Sequence, residues 1–304
     1  MKILVTGSSG LVGTALVSAL ARGGHTVCRL LRPQTAGGGE AKEGFVVAWN
    51  PATGELGGAG VGADAVVNLA GASIADGRWT TQRKELLCSS RIETTRALLG
   101  ALAKMNARPS VLVSASAIGY YGDRGDETLT EESQAGTDFL AELVQEWEVE
   151  ARKADALGIR VVLARFGIIL AREGGALPKM MLPFKIGVGG KLGSGQQWMS
   201  WVALEDVVGI LRLVIEHASL RGAVNIVSPQ PLQNAEFTYV LAQAMHRPAL
   251  FPAPAFALRL ALGEMADALL LSSQRVLPGA IEKLGYRFLH ADLTSALAAL
   301  LLKN

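Results

Sequence analysis

The sequence predicts an α/β protein, a doubly wound Rossmann-type parallel sheet with a smaller C-terminal substrate lobe. Three observations predict it. Short unbroken apolar runs alternate with stretches of helical periodicity through the first half of the chain, as in a parallel sheet covered on both faces. A glycine-rich turn follows the first of those runs at once, and the pattern changes after Gly174.

Taken in order, Ile3-Leu4-Val5 is the first strand, and Leu11, Val12, Ala15, Leu16, Ala19 and Leu20 recur at helical spacing behind it. His25 to Leu31 reads as the second strand. Ala65 to Leu69 and Ser110 to Ser114 read as the fourth and fifth, separated by a long helix over about Thr80 to Lys104. A helix from about Asp138 to Ala156 leads into the strand Ile159 to Ala164. Beyond it, glycine and proline cluster through Pro178–Gly195, and two helices that include His217 and His246 follow. Pro248–Pro254 then introduces a C-terminal helical piece. Residues 1–173, with parts of 196–230 returning to them, form the larger domain on this pattern, and 174–304 the smaller lobe.

Composition narrows the function classes. Half of the 304 residues are hydrophobic and 18% are charged, enough for a large core and too apolar for disorder. The 35 glycines have no three-residue period, so they mark loops, among them Gly37-Gly38-Gly39 and Gly57-Gly58-Ala59-Gly60. A formal charge of +2 gives no footprint for nucleic acid or a membrane surface. Two cysteines and four scattered histidines offer neither a disulfide framework nor metal-ligand spacing. The apolar run after Met1 stops at Thr6-Gly7, too short for a signal segment, and a cytoplasmic location follows as the expectation. Phe251 to Leu271, interrupted by Arg259, Glu264 and Asp267, reads as a buried helix rather than a membrane span.

The turn Thr6-Gly7-Ser8-Ser9-Gly10-Leu11-Val12-Gly13 carries the most specific chemistry. Gly7 and Gly10 let the backbone turn sharply and approach a pyrophosphate, and Gly13 lets the helix lie against the strand. The helix N-terminus then points partial positive charge at the anion. An NAD site places an acid about 20 residues downstream, on the ribose. Here no acid occurs between Gly23 and Gly39, and Arg32 stands 19 residues after Gly13, where a guanidinium meets a 2′-phosphate. Arg29 is the second candidate. The cofactor expected is NADP.

These residues, with Asn68-Leu69-Ala70-Gly71, resemble the extended short-chain dehydrogenase/reductase superfamily, which includes nucleotide-sugar epimerases. Arg78-Trp79, Ser90 to Arg96, Ser116 to Gly122, Leu182-Pro183-Phe184, Gly193 to Gln196, Asn234 to Phe237, Gly263-Glu264 and Gln274 to Pro278 are similar to one atypical subgroup. Its members are labelled epimerase-family proteins and carry their own C-terminal extension. The resemblance covers essentially the whole chain. It implies that Gly7 to Gly13 hold the pyrophosphate and Arg32 the adenosine phosphate. It further implies that Leu69, Ala70 and Gly71 line the adenosine and ribose, that Leu86 and Arg91 lie on a helix flanking the cofactor, and that the strand end Arg165 to Ile169 reaches the nicotinamide.

The superfamily's hydride chemistry uses a Tyr with Lys four residues on, because a neighbouring ammonium lowers the phenol pKa toward neutrality. No Tyr-x-x-x-Lys occurs in this chain. Where the resemblance puts that pair, Phe139 and Leu143 stand instead. Ser116 is the surviving hydroxyl at the end of the fifth strand. Tyr121 supplies a candidate phenol, with Tyr120 beside it, and Asp123, Glu127 or Asp138 a carboxylate. Ala203 stands where similar proteins commonly have His. Lys179, Lys185 and Lys191 either draw an anionic substrate or are simply solvated. Two functions fit: an NADP-dependent oxidoreductase or epimerase on an unknown small molecule, using non-standard acid–base groups, or an NADP(H)-binding sensor or interaction protein without turnover.

Overall fold

The computed structural model describes residues 1–32, 45–57 and 62–302. The glycines at 37–39 and 58–60 lie outside them. The elements begin with β1 (Lys2–Thr6), α1 (Leu11–Arg22), β2 (Thr26–Leu31), β3 (Phe45–Asn50), β4 (Glu55–Leu56), β5 (Ala65–Asn68) and α2 (Thr81–Ala103). Next come β6 (Val111–Ala117), β7 (Thr128–Leu129), α3 (Phe139–Arg152), β8 (Arg160–Phe166), β9 (Ile168–Leu170) and α4 (Leu177–Lys185). They are followed by β10 (Trp198–Met199), β11 (Trp201–Ala203), α5 (Leu204–Glu216), β12 (Gly222–Ile226), β13 (Leu232–Gln233) and α6 (Asn234–Ala244). The chain closes with α7 (Ala255–Leu262), α8 (Glu264–Ala266), β14 (Arg275–Val276), α9 (Gly279–Lys283) and α10 (Leu293–Leu302).

The main sheet has the order β12-β8-β6-β5-β1-β2-β3-β4. It is parallel except for the last pair, β3 with β4. Strand residues alternate between two cores. Ile3, Val5, Val27, Val67 and Val113 pack with Leu16 and Leu20 of α1 and with Ile210 and Leu211 of α5. Leu4, Cys28, Val66 and Leu112 face Leu98 and Leu102 of α2 and Ala151 of α3. Helix starts are fixed by the residues the sequence offers: the Thr80 hydroxyl accepts from Arg83 N–H, and the Asp138 carboxylate from Ala141 N–H.

At Gly167 the chain leaves the sheet. A side chain there would lie 2.6 Å from the Ser200 carbonyl oxygen, so only glycine lets β9 turn away to pair with β11. A third core follows, with Leu170, Leu177, Phe184, Trp201, Phe237, Leu241 and Leu297.

Two expectations need correction. Phe251 to Leu271 is not one buried helix. Gly263, at φ 64°, ends α7, in which no residue is buried and Phe256 and Leu260 are 72% and 77% exposed. Only beyond the break do Met265 and Ala266 reach the interior. His217 and His246 are not helical either, since α5 ends at Glu216 and α6 at Ala244. No helix among the described residues is long and apolar enough to cross a membrane.

The sheet's entry into α1 is sterically closed at Gly13, where a Cβ would sit 2.2 Å from the Gly7 oxygen. Gly13→Ala should therefore cost about 1–3 kcal/mol by forcing the turn apart, measured by urea unfolding. Unchanged stability would show that the turn has slack.

Candidate functional site

The C-terminal ends of the strands converge on the glycine turn. Gly7 has φ 63°, and its oxygen accepts from Gly10 N–H at 3.0 Å. A Cβ on Gly7 would lie 2.5 Å from the Leu69 oxygen. The turn is thus wedged between α1 and the exit of β5, with no side chain capping α1. That leaves a cradle of backbone and open first-turn amides, shaped for an anion with oxygen on several sides. Ser9 and Gly10 are exposed at its rim, and Leu11 and Val12 half-buried. Leu69 and Ala70 are half-buried beside it, and Gly71 is exposed.

Arg29 lies opposite Val5 in the sheet and reaches the turn, its Nε 3.4 Å from Ser8 Oγ. Arg32 is exposed one residue past the end of β2. The β5 exit is pinned from below: Thr6 Oγ1 donates to Asn68 Oδ1 at 2.7 Å, Asn68 Nδ2 to Thr95 Oγ1 at 2.9 Å, and Trp147 Nε1 to the same hydroxyl at 3.0 Å. Arg91 backs the loop after it. Its guanidinium donates to the Ala72 and Leu87 carbonyls and lies over Trp147. Burial pushes its pKa down to about 10. Arg91 therefore shapes the cradle wall from behind, while Leu86 on the same helix is exposed.

At the ends of β6 and β8 lies a polar knot. Arg165 makes two bonds to Glu148, Nε to Oε1 at 2.7 Å and Nη2 to Oε2 at 2.8 Å, with both side chains buried. Ser116 Oγ donates to Glu148 Oε1 at 2.6 Å. Arg165 Nη1 donates to Tyr121 Oη at 3.0 Å, and Tyr121 donates to Asn225 Oδ1 at 2.7 Å. Tyr120 packs under the guanidinium, 3.5 Å from ring centre to Cζ. Burial works against the Arg165 charge, but Glu148 outweighs it and holds the group protonated above its usual range. Burial pushes the Tyr121 phenol up, against the opposing pull of Arg165 and Asn225.

The candidate carboxylates have structural partners as well. Asp123 accepts from the Ser273 and Gly125 amides, Glu127 pairs with Arg124, and Asp138 caps α3. Ile169 sits in β9 opposite Val202, its oxygen 3.3 Å from where a Gly175 Cβ would be. Ala203 is buried at the start of α5. Lys179 pairs with Asp76 at 3.2 Å.

The sequence reading does not single out Glu148 or Asn225. Glu148 had a signal: it falls four residues after Val144 on the apolar stripe of α3, where an acid must have a buried partner. The same reading names Trp79, Phe139 and Glu264 separately but not Lys84, nor the contact that brings the four together.

A parallel sheet whose first strand turns through a glycine cradle into a helix is the structure of a dinucleotide-binding Rossmann protein. The model for the NAD dependent epimerase/dehydratase family matches residues 3–227, and a domain of unknown function, DUF1731, matches 253–300. The chain is 44% identical over 296 residues to the epimerase family protein Mb2239 of Mycobacterium bovis, covering 97% of this chain and 96% of that one. The Bacillus subtilis epimerase family protein YfhF is 39% identical over 302 residues, with 99% and 98% covered. Among solved structures, human epimerase family protein SDR39U1 with NADPH superposes with a TM-score of 0.89 at 32% identity, covering 100% of both chains. A nucleoside-diphosphate sugar epimerase from Corynebacterium glutamicum gives 0.78 at 36% identity, covering 99% of this chain and 58% of that one. The protein belongs to the NAD-dependent epimerase/dehydratase family.

The knot makes a stability prediction. Glu148→Ala leaves Arg165 buried without its counter-charge and should cost about 3–5 kcal/mol. Tyr121→Phe, which deletes one hydroxyl, should cost about 1–3 kcal/mol. Urea unfolding of both variants checks the order, and equal losses would contradict it.

Proposed function

We propose that the protein binds NADP(H) and transfers hydride to or from a small molecule, as an oxidoreductase or epimerase without a Tyr-x-x-x-Lys pair. One observation carries the cofactor choice: Arg29 reaches Ser8 of the phosphate turn, and Arg32 follows it at the exit of β2, where no acid stands. An acid there would bond the ribose of NAD and repel a 2′-phosphate, whereas guanidinium groups favour that phosphate. The NADPH bound by the human relative supports the same reading. When bound, the cofactor supplies the hydride. The chain's own residues supply the turn that binds the pyrophosphate, the Asn68 chain that fixes the cradle wall, and the cleft between Rossmann sheet and C-terminal lobe.

A second reading, a cofactor-binding sensor without turnover, has its own support. Ser116 and Tyr121 both donate their protons to buried protein acceptors, which a silent descendant of an enzyme would tolerate. NADPH oxidation across a panel of aldehydes and ketones separates the two.

Arg29→Ala and Arg32→Ala test the cofactor. Each should weaken NADPH by about 10- to 150-fold, the loss of a charge-assisted hydrogen bond of about 1.5–3 kcal/mol, and leave NADH nearly unchanged. Fluorescence titration of both cofactors decides it. Equal losses for the two, or tighter wild-type binding of NADH, would overturn the NADP assignment.

A further inference from the structure

The N-terminal turns of α2 and α3 open on the same side of the sheet as the glycine cradle, because both helices follow parallel strands. There the resemblance to the superfamily puts Phe139 where its members have a tyrosine. It is not an isolated ring. Trp79 meets it edge-on, with centroids 5.4 Å apart at 66°, and the Lys84 ammonium lies 4.5 Å from its centre. Lys84 comes from α2 rather than α3. It is bonded to Glu264 across the lobe junction, Nζ to Oε2 at 2.6 Å and to Oε1 at 2.8 Å. The neighbouring strap is fastened to the same lobe, since Arg78 donates to the Leu260 carbonyl at 3.3 Å.

The strand-end candidates are committed elsewhere. Ser116 gives its proton to Glu148 and Tyr121 to Asn225, both buried. Lys84 differs from them: its side chain is 30% exposed and that of Glu264 49%, so the amine can meet a ligand and exchange protons with water. An ammonium carries N–H donors as a phenol carries an O–H, so a hydrogen-bond and proton donor of another residue type stands at this place.

We propose that Lys84 is the proton donor of this cleft, beside the nicotinamide, with Glu264 as its positioning residue. The proposal rests on the NADP(H) reading above. In reduction of an aldehyde or ketone, hydride from NADPH forms the new C–H bond and the C=O π pair moves onto oxygen. That oxygen takes a proton from Nζ, forming O–H and leaving NADP⁺ and a neutral amine. The amine regains its proton from water, with the Glu264 carboxylate bonded beside it.

An ammonium beside the nicotinamide repels the cationic ring of NADP⁺ and spares the neutral ring of NADPH, so the ratio Kd(NADP⁺)/Kd(NADPH) reads its presence without turnover. In the full chain, Lys84→Met should lower that ratio about three- to tenfold and Glu264→Gln should raise it by a similar factor, while Lys84→Arg leaves it in place. A residue that merely braced the lobes would move both affinities together. Ratios within about twofold of wild type in the Met and Gln variants would overturn the placement. In aldehyde and ketone reduction, Lys84→Arg, which keeps its proton, should be at least about 100-fold slower. Wild-type rates would overturn the acid role alone. Wild-type protein that fails to bind NADPH would overturn the cofactor reading, and the proposal with it.

Discussion

The bidentate pair between Glu148 of α3 and Arg165 of β8 is the constraint on which the strand-end half of the site, and the seating of α3, depends. Two charges taken out of water are tolerable only if every remaining bond is satisfied, and the chain supplies those bonds from three elements. Ser116 comes from β6, Tyr121 from the turn after it, Asn225 from β12, and Tyr120 stacks on the guanidinium. The pair thereby fixes α3 against the sheet. It also engages Ser116, the one hydroxyl that the resemblance to short-chain dehydrogenases carries over. Ser116 and Tyr121 at the strand ends are thus engaged within the protein, and the donor proposed above, Lys84, lies instead at the contact of α2 with Glu264.

The cradle is independent of that knot. It is built by close approach of backbone to backbone: α1 against the turn at Gly13, and the turn against the β5 exit at Gly7. A pyrophosphate held by such backbone amides needs no side-chain charge. Among the charged side chains near it, Arg29 reaches the turn at Ser8.

The cradle was legible in the sequence because it is local: strand, glycine turn and helix fall within the first 22 residues, and their periodicities are clear. The starts of α2 and α3 were legible for the same reason, the reading placing them at about Thr80 and Asp138, which the structure shows to be their caps. The knot was not, because Ser116, Glu148, Arg165 and Asn225 meet only through the parallel crossovers. β3, reading Phe45-Val46-Val47-Ala48-Trp49-Asn50, was missed because the chain around it is rich in glycine and lacks a flanking helical pattern. The stretch 251–271 misled through composition alone: apolar content says that a segment prefers burial, and a single glycine at φ 64° left α7 on the surface. Arg29 ranked below Arg32 on spacing, while the observed sheet register brings Arg29 beside the turn.

A crystal structure of the full chain with NADPH tests the central claim, that the strand-end knot is structural and the reacting face lies elsewhere. The account predicts that the Ser116–Glu148 and Tyr121–Asn225 bonds persist and that the nicotinamide turns its reactive edge toward Lys84 and Phe139. A Tyr121 hydroxyl released from Asn225 and bonded to the nicotinamide ribose would contradict it.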